Sequence, residues 1–363
     1  MQIEKENIKS MLPEELEEML RALGMPKYRG GQIFKWLSLG AESYEEMTDI
    51  PKDLRSRLSE DFPLYTPGVL QKQISKIDGT AKYLWELNDK NAVETVVMQY
   101  KHGNTVCISS QVGCKMGCRF CASTLGGLVR NLTAGEMLDQ VIFSGKQFNA
   151  PISNIVLMGI GEPLDNFDNV MKFLKLVTHP KGINMGMRHI SLSTCGLAER
   201  IDKLGDYNLQ LTLSVSLHGP DNETRSSIMP VNRQTDVETL IKTCRSYFDK
   251  TGRRISFEYA MIENVNDSDV HGKGLARLLT GGKNKGALFA HVNLIPLNPV
   301  RERQFNPSPP ERVKAFKKVL EEAGINVTVR RRLGRDVDAS CGQLRRKSLA
   351  INKSCDGVYR AQA

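Results

Sequence analysis

The sequence predicts an α/β protein: a partial, open (β/α)6 barrel with a small helical domain in front of it. Three observations lead there. From residue 104 to about residue 323, short β-branched runs alternate with segments of helical period, the pattern of a parallel sheet joined by right-handed crossovers. Six strand–helix units fit in that span, short of the eight of a closed barrel. The first sixty or so residues carry helical periodicity alone.

Taken in order, Pro13–Leu23 has apolar positions at helical spacing, acids near its start and Gly24 after its end. Gly31–Leu37 is a second short helix, and Pro51–Leu58 a third with proline in its first turn. The period then changes. Leu70–Ser75, Ala81–Leu87 and Ala92–Tyr100 read as strands separated by the turn signals Asp78-Gly79 and Asn88-Asp89-Lys90. They form a small β insertion or an extension of the sheet that follows.

The alternating series begins with strand Asn104–Ser109 and a helix opened by the capping box Thr133 to Glu136. Strand Asn154–Met158, helix Asn166–Val177, strand His189–Thr194 and a short helix from Leu197 come next. Strand Leu209–His218, helix Asp236–Phe248, strand Ile255–Ile262 and helix Asp267–Leu279 continue it. Strand Leu288–Pro296, helix Pro310–Ala323 and strand Ile325–Arg330 end it. The expected organisation is a helical accessory domain at 1–64, a β-rich connecting segment at 65–103, the barrel at 104–330 and a basic C-terminal segment at 331–363.

Composition removes several classes. With 40% hydrophobic and 25% charged residues, the chain is neither a disordered polymer nor a membrane protein. The opening MQIEKENIKS lacks the basic-then-apolar layout of a signal peptide, and runs such as Asn154–Gly159 and Leu209–Leu217 are too short to span a bilayer. A cytoplasmic protein with no membrane contact is expected.

The net charge of +9 is uneven: residues 301–363 hold 15 basic and 7 acidic side chains, residues 1–90 hold 13 and 16. A basic end suggests an anionic partner, nucleic acid first, although a solvated basic face has the same composition. Between Arg21 and Lys35 four basic residues and no acids form a second candidate contact.

Of the eight cysteines, three crowd into Cys114-Lys-Met-Gly-Cys118-Arg-Phe-Cys121. With no sign of secretion, metal or catalysis is expected rather than disulfides. This C-x3-C-x2-C loop follows the first barrel strand, and Gly113 and Gly117 let the backbone wrap closely. Three thiolates on such a loop suit three irons of a cubane and leave the fourth open. Structural zinc is the rival. It needs a fourth ligand, for which Cys107 and His102 are available, but zinc favours paired C-x2-C elements.

These residues resemble the radical S-adenosylmethionine (SAM) superfamily, and within it the RlmN/Cfr family of RNA adenine methyltransferases. The stretches KYRGGQIFKWL, SSQVGCKMGCRFCAS, GGLVRNLT, MGIGEPLDN, LSTCG, SVSLHGP, HVNLIPLNP and DVDASCGQL carry the likeness along nearly the whole chain. The resemblance implies a [4Fe-4S] cluster on Cys114, Cys118 and Cys121. SAM would bind at the open iron and at Gly161, Glu162, Ser193, Ser216, Leu217, His218 and Asn298. Each of those positions also has a plain structural reading as a turn or strand end.

The implied activity is methylation of adenosine carbon 2 in 23S rRNA and tRNA, with two SAM per turnover. Carbon 2 is electron-poor and cannot attack the SAM methyl, so a radical route is required. By resemblance, Cys341 carries the methyl, Cys107 resolves the protein–RNA link through a transient disulfide, and Glu94 accepts a proton. Burial of Glu94 among the valines of Val93-Glu94-Thr95-Val96-Val97 suits a base. Strand alternation puts Cys107 on one face with Thr105 and Ser109.

Arg330, Arg331, Arg332 and Arg335 are expected to favour the Cys341 thiolate. These four and Arg345–Lys347 are further assigned to RNA phosphates. Cys244 reads as helix packing, Cys195 as a loop thiol near the SAM site, and Cys355 as tail. The implied partners are rRNA, tRNA and an electron donor such as flavodoxin with its reductase, acting on a monomer. The alternatives are a Cfr-type enzyme acting on adenine carbon 8, and a non-catalytic zinc RNA-binding protein.

Overall fold

Residues 7–281, 290–300, 302–334, 336 and 337 are described by the computed structural model. The first three helices are α1 (Pro13–Ala22), α2 (Arg29–Ser38) and α3 (Lys52–Asp61). Their apolar stripes converge: Leu16 and Leu20 of α1, Ile33 and Phe34 of α2 and Leu54 and Leu58 of α3 are all buried in one core. Gly30 permits the close crossing of α2 on α1, because a Cβ there would stand 2.8 Å from the backbone nitrogen of Glu17. The second helix starts and ends slightly outside the expected Gly31–Leu37.

Strands β1 (Gly68–Ile74), β2 (Ala81–Glu86), β3 (Ala92–Tyr100) and β4 (Gly103–Cys107) pair antiparallel in sequence. A separate hairpin pairs β5 (Gln111–Gly113) with β6 (Leu128–Asn131). The alternating series continues through α4 (Ala134–Phe148), β7 (Ile152–Leu157), α5 (Phe167–Thr178), β8 (Ile190–Thr194), α6 (Ala198–Asp206) and β9 (Thr212–Ser216). It ends with α7 (Asn222–Ile228), α8 (Val237–Thr251), β10 (Ile255–Met261), α9 (Asp269–Thr280), β11 (Ala290–Pro296), α10 (Pro310–Glu322) and β12 (Asn326–Val329).

One ten-stranded sheet runs β1-β2-β3-β4-β7-β8-β9-β10-β11-β12. From β4 to β12 neighbouring strands are parallel, with six helical crossovers between them. The open (β/α)6 barrel is therefore the fold, and β1–β3 are an extension of its sheet rather than an insertion. Alternation works as expected in β4: Val106 and Ile108 enter the main core under the helices, while Cys107 packs inside with Val96 and Met98.

Two features lie outside the expectation. The β5–β6 hairpin is too short to show a period of two. Helix α7 (NETRSSI) has too few apolar residues for a helical stripe, and is fixed instead by its Asp221 cap on the Thr224 amide.

The chain after β12 crosses back over the open side of the sheet. Leu333 packs on the Cys107 cluster. The Gly334 amide donates to Asp78 (2.8 Å), and Asp336 accepts from Ser75 Oγ (2.6 Å) and the Lys76 amide (2.8 Å) in the β1–β2 turn. No helix among the described residues is long and apolar enough to cross a membrane.

The helical region docks on α4 through a buried ion pair, Lys9 Nζ to Asp139 (3.0 Å), with Lys9 also donating to the Tyr65 carbonyl (2.7 Å). Burial raises the Asp139 pKa from 3.8 to about 6, against the pull of Lys9. A carboxyl raised in the folded state holds its proton more tightly there, so its contribution to stability declines as pH rises from about 4 to about 6. Lys9→Met strands the Asp139 charge and extends that window upward. Urea unfolding is expected to show a loss of about 3–5 kcal/mol near pH 8, and a smaller loss near pH 5, where the carboxyl takes a proton.

Candidate active site

The thiol loop connects β5 to β6 at the carboxyl ends of the parallel strands. Gly113, at φ +82°, turns the chain beside Gly127, whose carbonyl oxygen a Cβ would strike. The Cys114 amide donates to that same carbonyl (2.9 Å). Thr124 Oγ1 donates to the carbonyls of Cys118 and Cys121, both at 3.0 Å, and the Arg119 amide donates to Ile228 O (2.8 Å). The loop is thus tied to its own hairpin and to the end of α7.

Cys114, Cys118 and Cys121 share the wall of one cavity of 290 Å³ with Gly161, Glu162, Ser193, Ser216, His218 and Asn298. Six of the seven positions assigned to SAM by resemblance therefore meet the three thiols in space. Leu217 is the exception. Its side chain is fully buried in the main core, its amide donates to Glu258 O (3.1 Å), and its carbonyl accepts from Arg225 Nε (3.1 Å). It supports the wall rather than lining it.

The Gly-Glu-Pro turn is locked to the thiol hairpin. Gln111 accepts from the Glu162 amide (2.8 Å) and donates to Asp165 (2.9 Å) and Asn131 (2.8 Å). Gly161, at φ +107°, has the Gln111 backbone nitrogen 2.8 Å from its would-be Cβ. Glu162 is buried, and its carboxylate accepts from the amides of Cys195 (2.7 Å) and Leu164 (3.1 Å). Burial raises its pKa and these hydrogen bonds oppose the rise.

His218 sits at φ +56° with Nδ1 accepting from the Ala260 amide (2.9 Å). Burial, helped by the charge of Arg225, drives its pKa down to about 3. The imidazole is therefore neutral, and with Nδ1 occupied as acceptor its proton resides on Nε2. Phe120 meets the ring edge-on at 5.0 Å. Apolar wall comes from Phe120, Met158, Met229 and Leu297.

Three soft sulfur donors with no oxygen ligand among them suit iron–sulfur chemistry. Burial pushes Cys114 up to about 12 and Cys118 higher still, with neighbouring thiolates and Glu162 adding to both. Three thiolates crowd here only when a cationic iron core carries them. Among the described residues no three His, Cys, Asp or Glu side chains converge on the position of a single ion. A cubane asks for something else, one thiolate at each of three corners, and three thiols of one loop on one cavity wall are that donor set.

Other assignments are placed differently. Cys107 does not line the cavity and is buried against Val96, Met98, Met158 and Leu333. Glu94 lies on the same sheet face, also buried, but its neighbour is an ammonium: Lys82 Nζ stands 2.9 Å away. Val93 and Val97 face the opposite core, so the expected nest of valines around Glu94 is replaced by an ion pair.

Arg330 points inward, lining the cavity, and Arg332 donates to the Leu297 carbonyl (3.2 Å). Of the three arginines assigned to RNA phosphates only Arg331 is exposed, while Arg330 and Arg332 are half-buried. Cys341, Arg335, Arg345–Lys347 and Cys355 lie outside the described residues. Cys244 is core packing in α8, and Cys195 lines the cavity.

Glu258 was not anticipated. It is a buried carboxylate on the cavity wall, bonded to Asn293 Nδ2 (2.7 Å) and Ser256 Oγ (3.2 Å), with its pKa raised by burial and countered by Arg330. The signal was present: a lone acid inside the apolar strand Ile255–Ile262.

A thiol loop at the mouth of an open parallel barrel defines a radical SAM protein, and residues 108–272 match the Radical SAM superfamily. Residues 6–63 match the Ribosomal RNA large subunit methyltransferase N-terminal domain. A probable dual-specificity RNA methyltransferase RlmN of Alkaliphilus metalliredigens is 47% identical over 345 residues, 95% of this chain and 96% of that one. Its namesake in Caldanaerobacter subterraneus subsp. tengcongensis is 49% identical over 344 residues, 94% and 98% of the two chains. The crystal structure of a radical SAM methyltransferase from Sphaerobacter thermophilus aligns with a TM-score of 0.87 at 43% identity, covering 92% of this chain and 98% of that one. The chain belongs to the RlmN family.

The neutral histidine has a measurable consequence. Unfolded chain takes up a proton on His218 below about pH 6.5 and folded chain does not, so stability falls as pH falls through that range. Between pH 7 and about 5.5, wild-type protein is expected to lose about 1 kcal/mol more than His218→Gln does. Urea unfolding at the two pH values measures the difference.

Proposed function

We propose that this protein methylates carbon 2 of adenosine in 23S rRNA and tRNA, working in the cytoplasm as a monomer with a low-potential donor of the flavodoxin type. The observation that carries the reading is the shared cavity: three thiols, a buried carboxylate and a neutral imidazole on one wall, in a chain that matches its relatives almost end to end. When bound, the [4Fe-4S] cluster and SAM supply a carbon radical able to take a hydrogen atom from an unactivated methyl group.

The chain's residues then have distinct tasks. Cys114, Cys118 and Cys121 hold the cluster. Glu162 offers carboxylate oxygen to the SAM ammonium, and His218 a fixed Nε2–H donor. Phe120, Met158 and Met229 cover the ligand and exclude water. Cys341 receives a methyl group at sulfur and becomes the carbon donor to the base. Glu94, held by Lys82, takes the proton from carbon 2, and the unpaired electron left on the protein–RNA adduct returns to the external donor couple.

Cys107 ends the cycle. Its sulfur attacks the sulfur of Cys341, breaking the bond to carbon. The electron pair leaves with that carbon, which is protonated, and a 107–341 disulfide remains. The packing of Leu333 on Cys107 supports this, because Leu333 precedes Cys341 by only eight residues in sequence.

Anaerobic incubation with SAM, reductant and protein-free RNA, followed by nucleoside mass spectrometry, tests the activity. 2-Methyladenosine is expected, and 8-methyladenosine in its place would transfer the protein to the Cfr type. Cys107→Ala is expected to accumulate a covalent protein–RNA species joined through Cys341, seen as an RNase-trimmed mass addition. Product release at the wild-type rate from this variant would remove Cys107 from the resolving role.

A further inference from the structure

Arg225 is a fully buried cation, and among the described residues no carboxylate bonds to it. Its guanidinium donates only to neutral acceptors: the carbonyls of Cys195 (2.6 Å), Leu217 (3.1 Å), Thr235 (3.1 Å) and Ser216 (3.5 Å), and Asn232 Oδ1 (2.8 Å). Nearby acids are engaged elsewhere, Asp221 with Thr224 and Glu238 with Asn222. A buried charge without a counter-ion costs several kcal/mol. Its retention points to an anion that belongs beside it.

The surroundings say which anion. The end of α7 is built against the thiol loop: Ile228 O accepts the Arg119 amide, and Pro230 lies under Gly117. Ile228 and Met229 pack with Cys118 and Cys195. The carbonyl contacts of Arg225 also fix the chain just after β8 and at the end of β9, the two places that present Ser193 and Ser216 to the cavity.

We propose that Arg225 is the buried counter-ion of the iron–sulfur cluster, a positioning residue that holds the cluster's reduction potential up. The inference rests on the cluster assignment above. A cubane on three thiolates is anionic, and one-electron reduction by the external donor makes it one charge more negative. A fixed cation in a dry site favours that step and needs no reorganisation as it occurs. The same guanidinium braces the strand ends, so geometry and potential are set by one side chain.

The test reads the midpoint potential of the reconstituted full-length protein by EPR-monitored titration. Two variants separate charge from packing. Arg225→Gln removes the cation. Asn232→Asp keeps the guanidinium in place and puts a carboxylate where its Nη1–H now meets an amide oxygen. Both are expected to become harder to reduce by at least tenfold in the equilibrium constant, about 59 mV for one electron.

Asn232→Asp with full iron content and the wild-type potential overturns the proposal, including where Arg225→Gln fails to fold. A lowered potential in Asn232→Asp alone supports it. Wild-type protein that takes up no cubane overturns the cluster assignment and this inference with it. A normal wild-type cubane with unshifted variants overturns only this inference.

Discussion

Concentrating negative charge in a dry place is the constraint around which this molecule is organised. Three thiols and the Glu162 carboxylate converge at one end of the sheet, all buried or nearly so. A thiolate desolvated beside other thiolates is strongly disfavoured, as the raised pKa values of Cys114 and Cys118 express. Iron removes most of that penalty, but only if the three sulfurs are delivered to the right corners. This explains why the loop has no slack. A positive-φ glycine starts it, Thr124 gathers two of its carbonyls, and Ile228 anchors its middle from a different helix.

The antiparallel extension solves a second problem. A six-unit parallel barrel is open on one side, and its first strand would be an edge. Strands β1–β3 continue the sheet past that edge and bring Glu94, Lys82, Val96 and Met98 onto the inner face beside Cys107. The strap after β12 then crosses the gap and is fastened by Asp78 and Asp336 at the β1–β2 turn. The interior thus has two regions. The thiol mouth is one, and a region bounded by Cys107 and the strap is the other. Met158 belongs to both, on the wall of the cavity and against Cys107.

The alternation of strand and helix was legible because each barrel strand is an apolar run closed by a turn signal, and each crossover helix has a long apolar stripe. The thiol loop was legible because its chemistry is written in contiguous residues. What escaped was set by contacts distant in sequence. Helix α7 owes its existence to a cap and to Arg225, whose acceptors are supplied by residues 195 to 235. Glu94 reads as a carboxylate among valines until the pairing of β2 with β3 brings up Lys82. Leu217 sits between two cavity residues in sequence, yet strand alternation and the αL turn at His218 send its side chain the other way.

Charge is the property that local sequence describes least well here. A run of three arginines at 330–332 looks like a surface for phosphates, but only Arg331 is exposed. Arg330 turns inward toward Glu258, Arg332 satisfies the Leu297 carbonyl, Lys82 neutralises Glu94, and Arg225 binds the carbonyls of Cys195, Leu217 and Thr235. Their partners are interior carboxylates and carbonyls. Part of the positive excess counted toward nucleic acid is therefore committed to the interior, where a net-charge tally cannot see it. The cationic surface available to an RNA substrate is correspondingly smaller than composition implies. Docking must lean on shape and on the reactive base itself as well as on phosphate attraction.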